Sequence, residues 1–118
     1  MADVRRGCSV GLFVKGDIVV IPFPFSDLSS VKRRPALVIA PVTGDDLILC
    51  QITSKFHTDT YSVPLHPSDL SSGPLKELSY IRPDKLFTAD VSMIQYTMGH
   101  VSDPILQKVV DTIISIIR

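Results

Sequence analysis

Proline is spread along most of the chain, and this distribution constrains the fold more than any other feature of the sequence. Nine of the 118 residues are proline, and they are scattered between short runs of β-branched and other apolar residues. Proline interrupts helices but is tolerated at strand edges and turns, so the pattern favours a small barrel over a helical bundle. We therefore predict a mainly β fold.

The runs between these prolines predict short strands. The predicted strands are residues 17–23, 36–41, 47–53, 61–65, 79–82 and 98–101. The polar residues 43–46 form the turn between the second and third strands. A loop that could be mobile is predicted at residues 68–73. The pattern for a further helical turn at residues 84–87 or 89–94 is weak.

Strong helical periodicity occurs only at the end of the chain. Apolar residues from Ile105 to Ile117 recur at helical spacing and define one broad face. Ser102 offers a capping oxygen, and Pro104 follows where the first turn of a helix tolerates a proline. We predict a C-terminal helix that closes one side of the barrel.

The length and composition indicate one domain with an apolar surface. We expect residues 15–118 to form a single domain, preceded by an N-terminal extension at 1–14 that could be mobile. Hydrophobic residues make up 45% of the chain, and the mean hydropathy of +0.29 predicts an oligomer. Because the formal net charge is +0, binding to nucleic acid would have to use a local basic patch.

The cysteines and the hydropathy pattern indicate the compartment. Cys8 and Cys50 are the only cysteines, which gives neither a framework of disulfides nor a thiolate metal site. No apolar run is long enough to cross a bilayer, and the start of the chain is not a convincing signal peptide. We expect a cytoplasmic protein without a membrane partner.

Three consecutive cations, Lys32, Arg33 and Arg34, stand directly before a proline and an apolar strand. The proline disfavours the helical region for Arg34 and holds this residue extended at the predicted start of the strand. The planar guanidinium group suits a phosphate or a carboxylate. Taken alone, however, the triplet favours a solvated surface turn with an ion pair to Asp27.

A hydroxyl pair and a cation with a carboxylate follow later in the sequence. Thr53 and Ser54 end the third predicted strand and could contact phosphate oxygens, although such a pair more often forms a plain turn. Arg82 and Asp84 flank a proline, for which an internal ion pair is the commoner explanation. We interpret residues 87–90 as a structural turn that caps or braces.

Together, the order and spacing of these segments resemble the MazF/PemK toxins of bacterial type II toxin–antitoxin systems. The resemblance runs from Gly16 to the C-terminal helix, and its weight comes from the joint pattern. The matching stretches are residues 16–20, 34–38, 52–54, 80–84 and 88–90.

This resemblance implies an SH3-like small β-barrel of the MazF/CcdB type with a C-terminal α-helix. It also implies a homodimer, no cofactor or metal, and sequence-specific endoribonuclease activity on single-stranded RNA, inhibited by an antitoxin of the MazE/PemI type. In such enzymes the arginine of the Arg-Pro motif and the threonine of the strand end lie in the active site, which corresponds to Arg34 and Thr53. PemK-type members also use an arginine and an aspartate two residues apart, here Arg82 and Asp84.

The residue types agree with RNA cleavage by attack of the ribose 2′-OH. Asp84 is the candidate base, and partial burial would make it a stronger one. Arg34 and Arg82 would bind the developing negative charge, and Thr53 would donate a hydrogen bond to a non-bridging oxygen. The general acid is left open. Further predicted RNA contacts are Ser30, Lys32, Arg33, Ser54 and Lys85.

The sequence departs from the family in the loop before the Arg-Pro motif. Many members have a loop with glycine, glutamate and glutamine there, and some have a catalytic histidine, whereas residues 26–32 here contain none of these four types. Ser29, Ser30 and Lys32 could contact the phosphate in place of the family's usual loop residues. The alternative is a reduced or altered activity. The three histidines, His57, His66 and His100, are interpreted as loop or barrel-edge residues.

Base recognition would come from loops, in which Phe25 and Phe56 could stack on RNA bases, although a core or interface role suits Phe25 better.

Two other functions are compatible with the same fold but do not include RNA cleavage. A gyrase-binding toxin of the CcdB type would act through its dimer face and would not need the predicted active site. A degenerate binding module of the same fold is the other alternative.

Overall fold

The chain is described by a computed structural model that covers residues 13–24, 31–55, 61–72 and 77–118. These parts of the chain form strands, two short 3₁₀ turns and one C-terminal helix. The strands are β1 (Asp17–Pro24), β2 (Val31–Pro41), β3 (Asp46–Thr53), β4 (Val63–Leu65), β5 (Leu70–Ser72), β6 (Ser79–Asp90) and β7 (Tyr96–Val101), and the helix is α1 (Asp103–Ile117).

The strands form one antiparallel sheet in the order β4-β6-β3-β2-β1-β7-β5. The register shifts where β1 meets β7, where β2 meets β3 and where β3 meets β6. Such bulges bend strands and increase their twist, which lets a single sheet curl upon itself. The mainly β, barrel-like fold with one C-terminal helix is confirmed.

Strand β2 begins earlier than predicted. Its pairing with β1 continues to Val31, which lies opposite Pro24, so the three cations lie within a strand and not in a loop. On its other side, β2 pairs with β3 only from Ala36 onward. Pro35 therefore lies where β2 has no neighbour on that side, a position at which a missing N–H group costs no hydrogen bond of the sheet.

Strand β6 is three times as long as the predicted strand at 79–82, because it continues to Asp90. Residues 87–90 pair with β3 and are not a turn, and no helical turn occurs at 84–87. Asp90 does act as a cap, as its side chain accepts a hydrogen bond from Ser92 N–H at 2.8 Å, and a 3₁₀ turn follows at Val91–Met93. Hydrogen bonds from the side chain and, second, the backbone N–H of Ser92 lower the pKa of Asp90.

The predicted loop at 68–73 is also ordered in part. A 3₁₀ turn at Pro67–Asp69 leads into β5, which pairs with β7. The turn is fixed by Asp69, whose carboxylate accepts a hydrogen bond from His66 N–H at 2.9 Å. Residue 73 lies outside the described residues, as do residues 1–12 of the predicted N-terminal extension, and the domain boundary stays a prediction.

Each face of the sheet buries its own apolar cluster. One cluster includes Ile18, Leu37 and Ile52, and α1 packs on it through Val109 and Ile113. Ser102 occupies the N-cap position of α1, but its side chain makes no capping hydrogen bond within the described residues. The helix therefore covers one side of the sheet, as predicted, by burial of its apolar face.

The opposite face buries Val19, Val38 and Leu49. Strands β6 and β7 are consecutive in the chain but are separated in the sheet by β3, β2 and β1, so residues 91–95 must cross this face. Ile94 packs on the cluster, and Gln95 N–H donates to the carbonyl oxygen of Val20 at 2.9 Å. The crossing segment thus closes the second core.

Two buried groups in this framework are structural. Burial raises the pKa of the Cys50 thiol to about 12, which disfavours the thiolate that binds metals and attacks disulfides. Asp17, at the start of β1, accepts a hydrogen bond from Nδ1 of His100 on β7 at 2.9 Å.

Among the described residues, there is no helix with the length and hydrophobicity of a membrane span.

Gly16 lies directly against this Asp17–His100 pair. Its φ of +94° is unfavourable for other residues, and a Cβ atom would lie 2.9 Å from Cε1 of His100. Gly44 also has a positive φ, of +69°, but nothing lies within 4 Å of the position of its Cβ. The two glycines therefore separate the cost of backbone strain from the cost of a steric clash.

We expect Gly44→Ala to lower the free energy of unfolding by about 1 kcal/mol because of backbone strain alone. Gly16→Ala adds the clash with His100, which should cost about 1–3 kcal/mol more. Urea unfolding followed by circular dichroism measures both values. Equal stabilities of the two variants would contradict the close packing of His100 on Gly16.

Candidate active site

The sheet register brings Arg34, Thr53 and Arg82 to the same face. Gln51 on β3 lies opposite Ala36 on β2 and opposite Arg82 on β6. Because side chains alternate along a strand, Arg34 shares the face of Ala36, and Thr53 shares the face of Gln51. Arg34 and Arg82 are separated by one strand, which corresponds to about 10 Å across the sheet.

The two arginines are held by their surroundings. The side chains of Arg34 and Arg82 are half-buried, and the Nε atom of each is buried from solvent. Packing of the side-chain stem reduces the freedom that a guanidinium group loses when it binds an anion. The face therefore presents two positive charges in restricted positions.

Thr53 has a structural role in addition to any catalytic one. Its side chain is buried, with 8% of its surface exposed, and Oγ1 accepts a hydrogen bond from Lys55 N–H at 3.1 Å. The plain turn that the hydroxyl pair favours is thus present. The hydroxyl hydrogen can still donate to a phosphate oxygen, because a hydroxyl both accepts and donates.

Asp84 and Lys85 lie in a bulged part of β6. Arg82 pairs with Gln51, but the next pair along β3 joins Cys50 to Leu86, so residues 83–85 have no partner on β3. Pro83 is buried and anchors the bulge, whereas Asp84 and Lys85 are exposed. The partial burial that would make Asp84 a stronger base is therefore not provided by the single chain.

Arg33 is not brought together with the other cations. The pairing of β1 with β2 has no bulge between Ile18 and Pro24, so Arg33 projects to the face opposite that of Arg34. Its side chain is exposed. Ser54 is exposed just after β3 and follows Thr53 directly.

Several predicted contacts lie outside the described residues. These are Asp27, Ser29, Ser30, Phe25, Phe56, His57 and the side chain of Lys32. Of the other histidines, His66 precedes a 3₁₀ turn. His100 pairs with Asp17 at the start of β1, whereas Arg34 pairs with Ile21, further along the same strand. In the described ranges, no group of three His, Cys, Asp or Glu residues could hold a metal ion.

A cleft of about 400 Å³ lies between β1, β3 and β6. Its lining includes Ile21, Gln51, Lys85, Phe87 and Met93. Gln51 is not among the predicted site residues, although its alternation with Thr53 places the two on one face. A larger cleft of about 640 Å³ runs along α1 and contains none of the predicted site residues.

The comparison with known families decides the relationship of this chain. The model of the family of PemK-like, MazF-like toxins of type II toxin–antitoxin systems matches residues 14–117. The chain belongs to this family. No curated protein sequence matches the chain significantly.

Solved structures similar to this PemK/MazF-family chain share its fold. MazF in a MazE–MazF crystal structure from Deinococcus radiodurans has a TM-score of 0.70 at 22% identity, over 88% of this chain and 94% of that one. A mycobacterial endoribonuclease in complex with its cognate antitoxin has a TM-score of 0.69 at 17% identity, over 87% and 92%. For the Mycobacterium tuberculosis toxin MazF-mt6 the TM-score is 0.65 at 17% identity, over 82% and 91%.

The hydrogen bond from Lys55 to Thr53 makes a testable contribution to stability. Thr53→Val keeps the shape of the side chain but removes the acceptor, so we expect a loss of about 1 kcal/mol in the free energy of unfolding. Thr53→Ser keeps the oxygen and serves as the control, with a smaller loss. If urea unfolding gives the same stability for both variants, the structural role of the hydroxyl is refuted.

Proposed function

We propose that this PemK/MazF-family toxin is a metal-independent, sequence-specific endoribonuclease that cleaves single-stranded mRNA in the cytoplasm. The observation that carries the proposal is the placement of Arg34, Thr53 and Arg82 on one face of the sheet. Two guanidinium groups and a hydroxyl on neighbouring strands can surround one phosphodiester. The endoribonuclease activity of the mycobacterial protein with the same fold supports the proposal.

The reaction would begin with attack of a ribose 2′-OH on the adjacent phosphorus. The bond from phosphorus to the 5′ oxygen breaks, and this oxygen takes up a proton from a general acid, which leaves a 2′,3′-cyclic phosphate and a 5′-hydroxyl. Negative charge grows on the non-bridging oxygens during this step, and Arg34 and Arg82 would stabilise it electrostatically. Thr53 would donate a hydrogen bond to one of these oxygens.

Asp84 would remove the proton from the 2′-OH. Its carboxylate is exposed in the single chain, next to the buried Pro83. Bound RNA or a second subunit would cover this position and remove water from the carboxylate, which makes it a stronger base. Asp84 lies two residues after Arg82, in the bulge of β6.

A homodimer would align two such sites along one groove and bind several nucleotides of a single strand. Lys85, Ser54 and the loop with Ser30 and Lys32 would contribute RNA contacts, whereas Arg33 lies on the other face. An antitoxin of the MazE/PemI type would insert an acidic segment into the same groove and compete with RNA. The antitoxin complexes of the Deinococcus and mycobacterial proteins support this partner.

Arg33 and Arg34, which are adjacent in the sequence, provide a matched pair of variants. We expect Arg34→Ala to reduce the rate of cleavage of a defined RNA by about 10²–10³-fold, because one charge that stabilises the transition state is lost. Arg33→Ala removes the same charge from the opposite face and should retain activity within about threefold. The assay is run with EDTA, and the cleaved ends are mapped by primer extension.

Arg82→Ala and Asp84→Asn should behave as Arg34→Ala does, and all variants should arrest growth in proportion to their cleavage rate. Equal activity of Arg34→Ala and Arg33→Ala would refute the assignment of the site. Loss of wild-type cleavage in EDTA would refute metal independence. Growth arrest that persists in all variants without new RNA ends would instead support a toxin of the gyrase-binding type.

A further inference from the structure

The cleft between β1, β3 and β6 is lined by a strand partner of each arginine of the proposed site. Ile21, in its wall, is the β1 partner of Arg34, and Gln51 is the β3 partner of Arg82. A phosphate bound by the arginines would therefore lie at the edge of this cleft. We refer to it as the Gln51 cleft.

The lining of the Gln51 cleft is mostly apolar. Phe87 is half-buried in its wall, and Leu86 and Met93 expose 41% and 43% of their surfaces at the rim. Exposed apolar side chains beside a cluster of cations suit a ligand that is apolar on its faces and attached to a negative charge. A base of an RNA strand has this character.

The polar groups of the cleft also match a base. The Gln51 amide offers one acceptor and two donors, so it can recognise the hydrogen-bonding edge of a base and discriminate between bases. Lys85 is exposed at the rim, where it can bind the phosphate of the same nucleotide. The cleft volume of about 400 Å³ lies within the range of sites for small ligands.

We propose that the Gln51 cleft holds one unstacked RNA base next to the cleaved phosphodiester, and that Gln51 determines which base is accepted there. The inference rests on the proposed ribonuclease function. It adds a specificity-determining residue outside the predicted catalytic set. An acidic peptide would also match the cations, but it would leave the amide and the aromatic wall without a fitting partner.

The first test replaces Gln51 with methionine, which keeps the length of the side chain and removes its amide. Wild type and Gln51→Met are incubated with a random-sequence RNA, and the bases flanking each cut are determined by sequencing. We expect the variant to lose about tenfold or more of its discrimination at a single flanking position. Discrimination at the other positions should stay within about twofold of wild type.

The second test measures binding without cleavage. Met93→Glu places a negative charge at the exposed rim and should weaken binding of a 2′-O-methyl RNA that contains the preferred site by about tenfold. Gln95→Glu makes the same change in charge two residues away, at an exposed position outside the cleft, and should weaken binding by no more than about twofold. Fluorescence anisotropy gives the dissociation constants, and circular dichroism checks folding.

The outcomes separate this inference from the function on which it rests. If wild type cleaves RNA while Gln51→Met keeps its base preference and Met93→Glu binds as Gln95→Glu does, the base site is wrong and the ribonuclease stands. If wild type neither binds nor cleaves RNA, both fail. A change of oligomeric state in Met93→Glu, seen by light scattering, would assign the cleft to a subunit contact and overturn the inference.

Discussion

The register of β3 between β2 and β6 determines what this sheet can do. Opposite residues share a face, so the pairs of Gln51 with Ala36 and with Arg82 place both arginines on the same face as Thr53. A slip of one residue in either pair would move one arginine to the other face of the sheet. Apolar clusters on both faces resist such a slip, because it would expose buried side chains such as Leu49 to solvent.

The same face changes its character along the strands. At one end it buries an apolar cluster under residues 91–95, and at the other end it carries the half-buried arginines. The Gln51 cleft lies at the border between these regions. The bulge at residues 83–85 occurs at this border too, where it frees Asp84 and Lys85 from the sheet and exposes them. Irregular pairing thus provides the exposed polar groups, and regular pairing fixes the arginines.

The sequence predicted the elements whose signal is local. The apolar runs predicted six strands, each of which overlaps an observed strand, and the helical periodicity of residues 105–117 predicted the helix. The missed parts depend on pairing with another strand and not on local composition. Strand β2 continues through Lys32 to Arg34 because β1 pairs with it, and β5 forms because β7 does. The contact of Asp17 with His100 joins residues 83 apart and has no local signature.

The crossing segment, residues 91–95, affects when the sheet can close during synthesis. Strand β1 pairs with β7, which comes much later in the sequence, and residues 91–95 cover the face formed by Val19 and Val38. Contacts between such distant residues form slowly and late, since they must overcome the entropy of closing a long loop. A nascent polypeptide that still lacks residues 91–101 would leave this core open to water. The sheet can therefore close only after residues 91–101 have been synthesised.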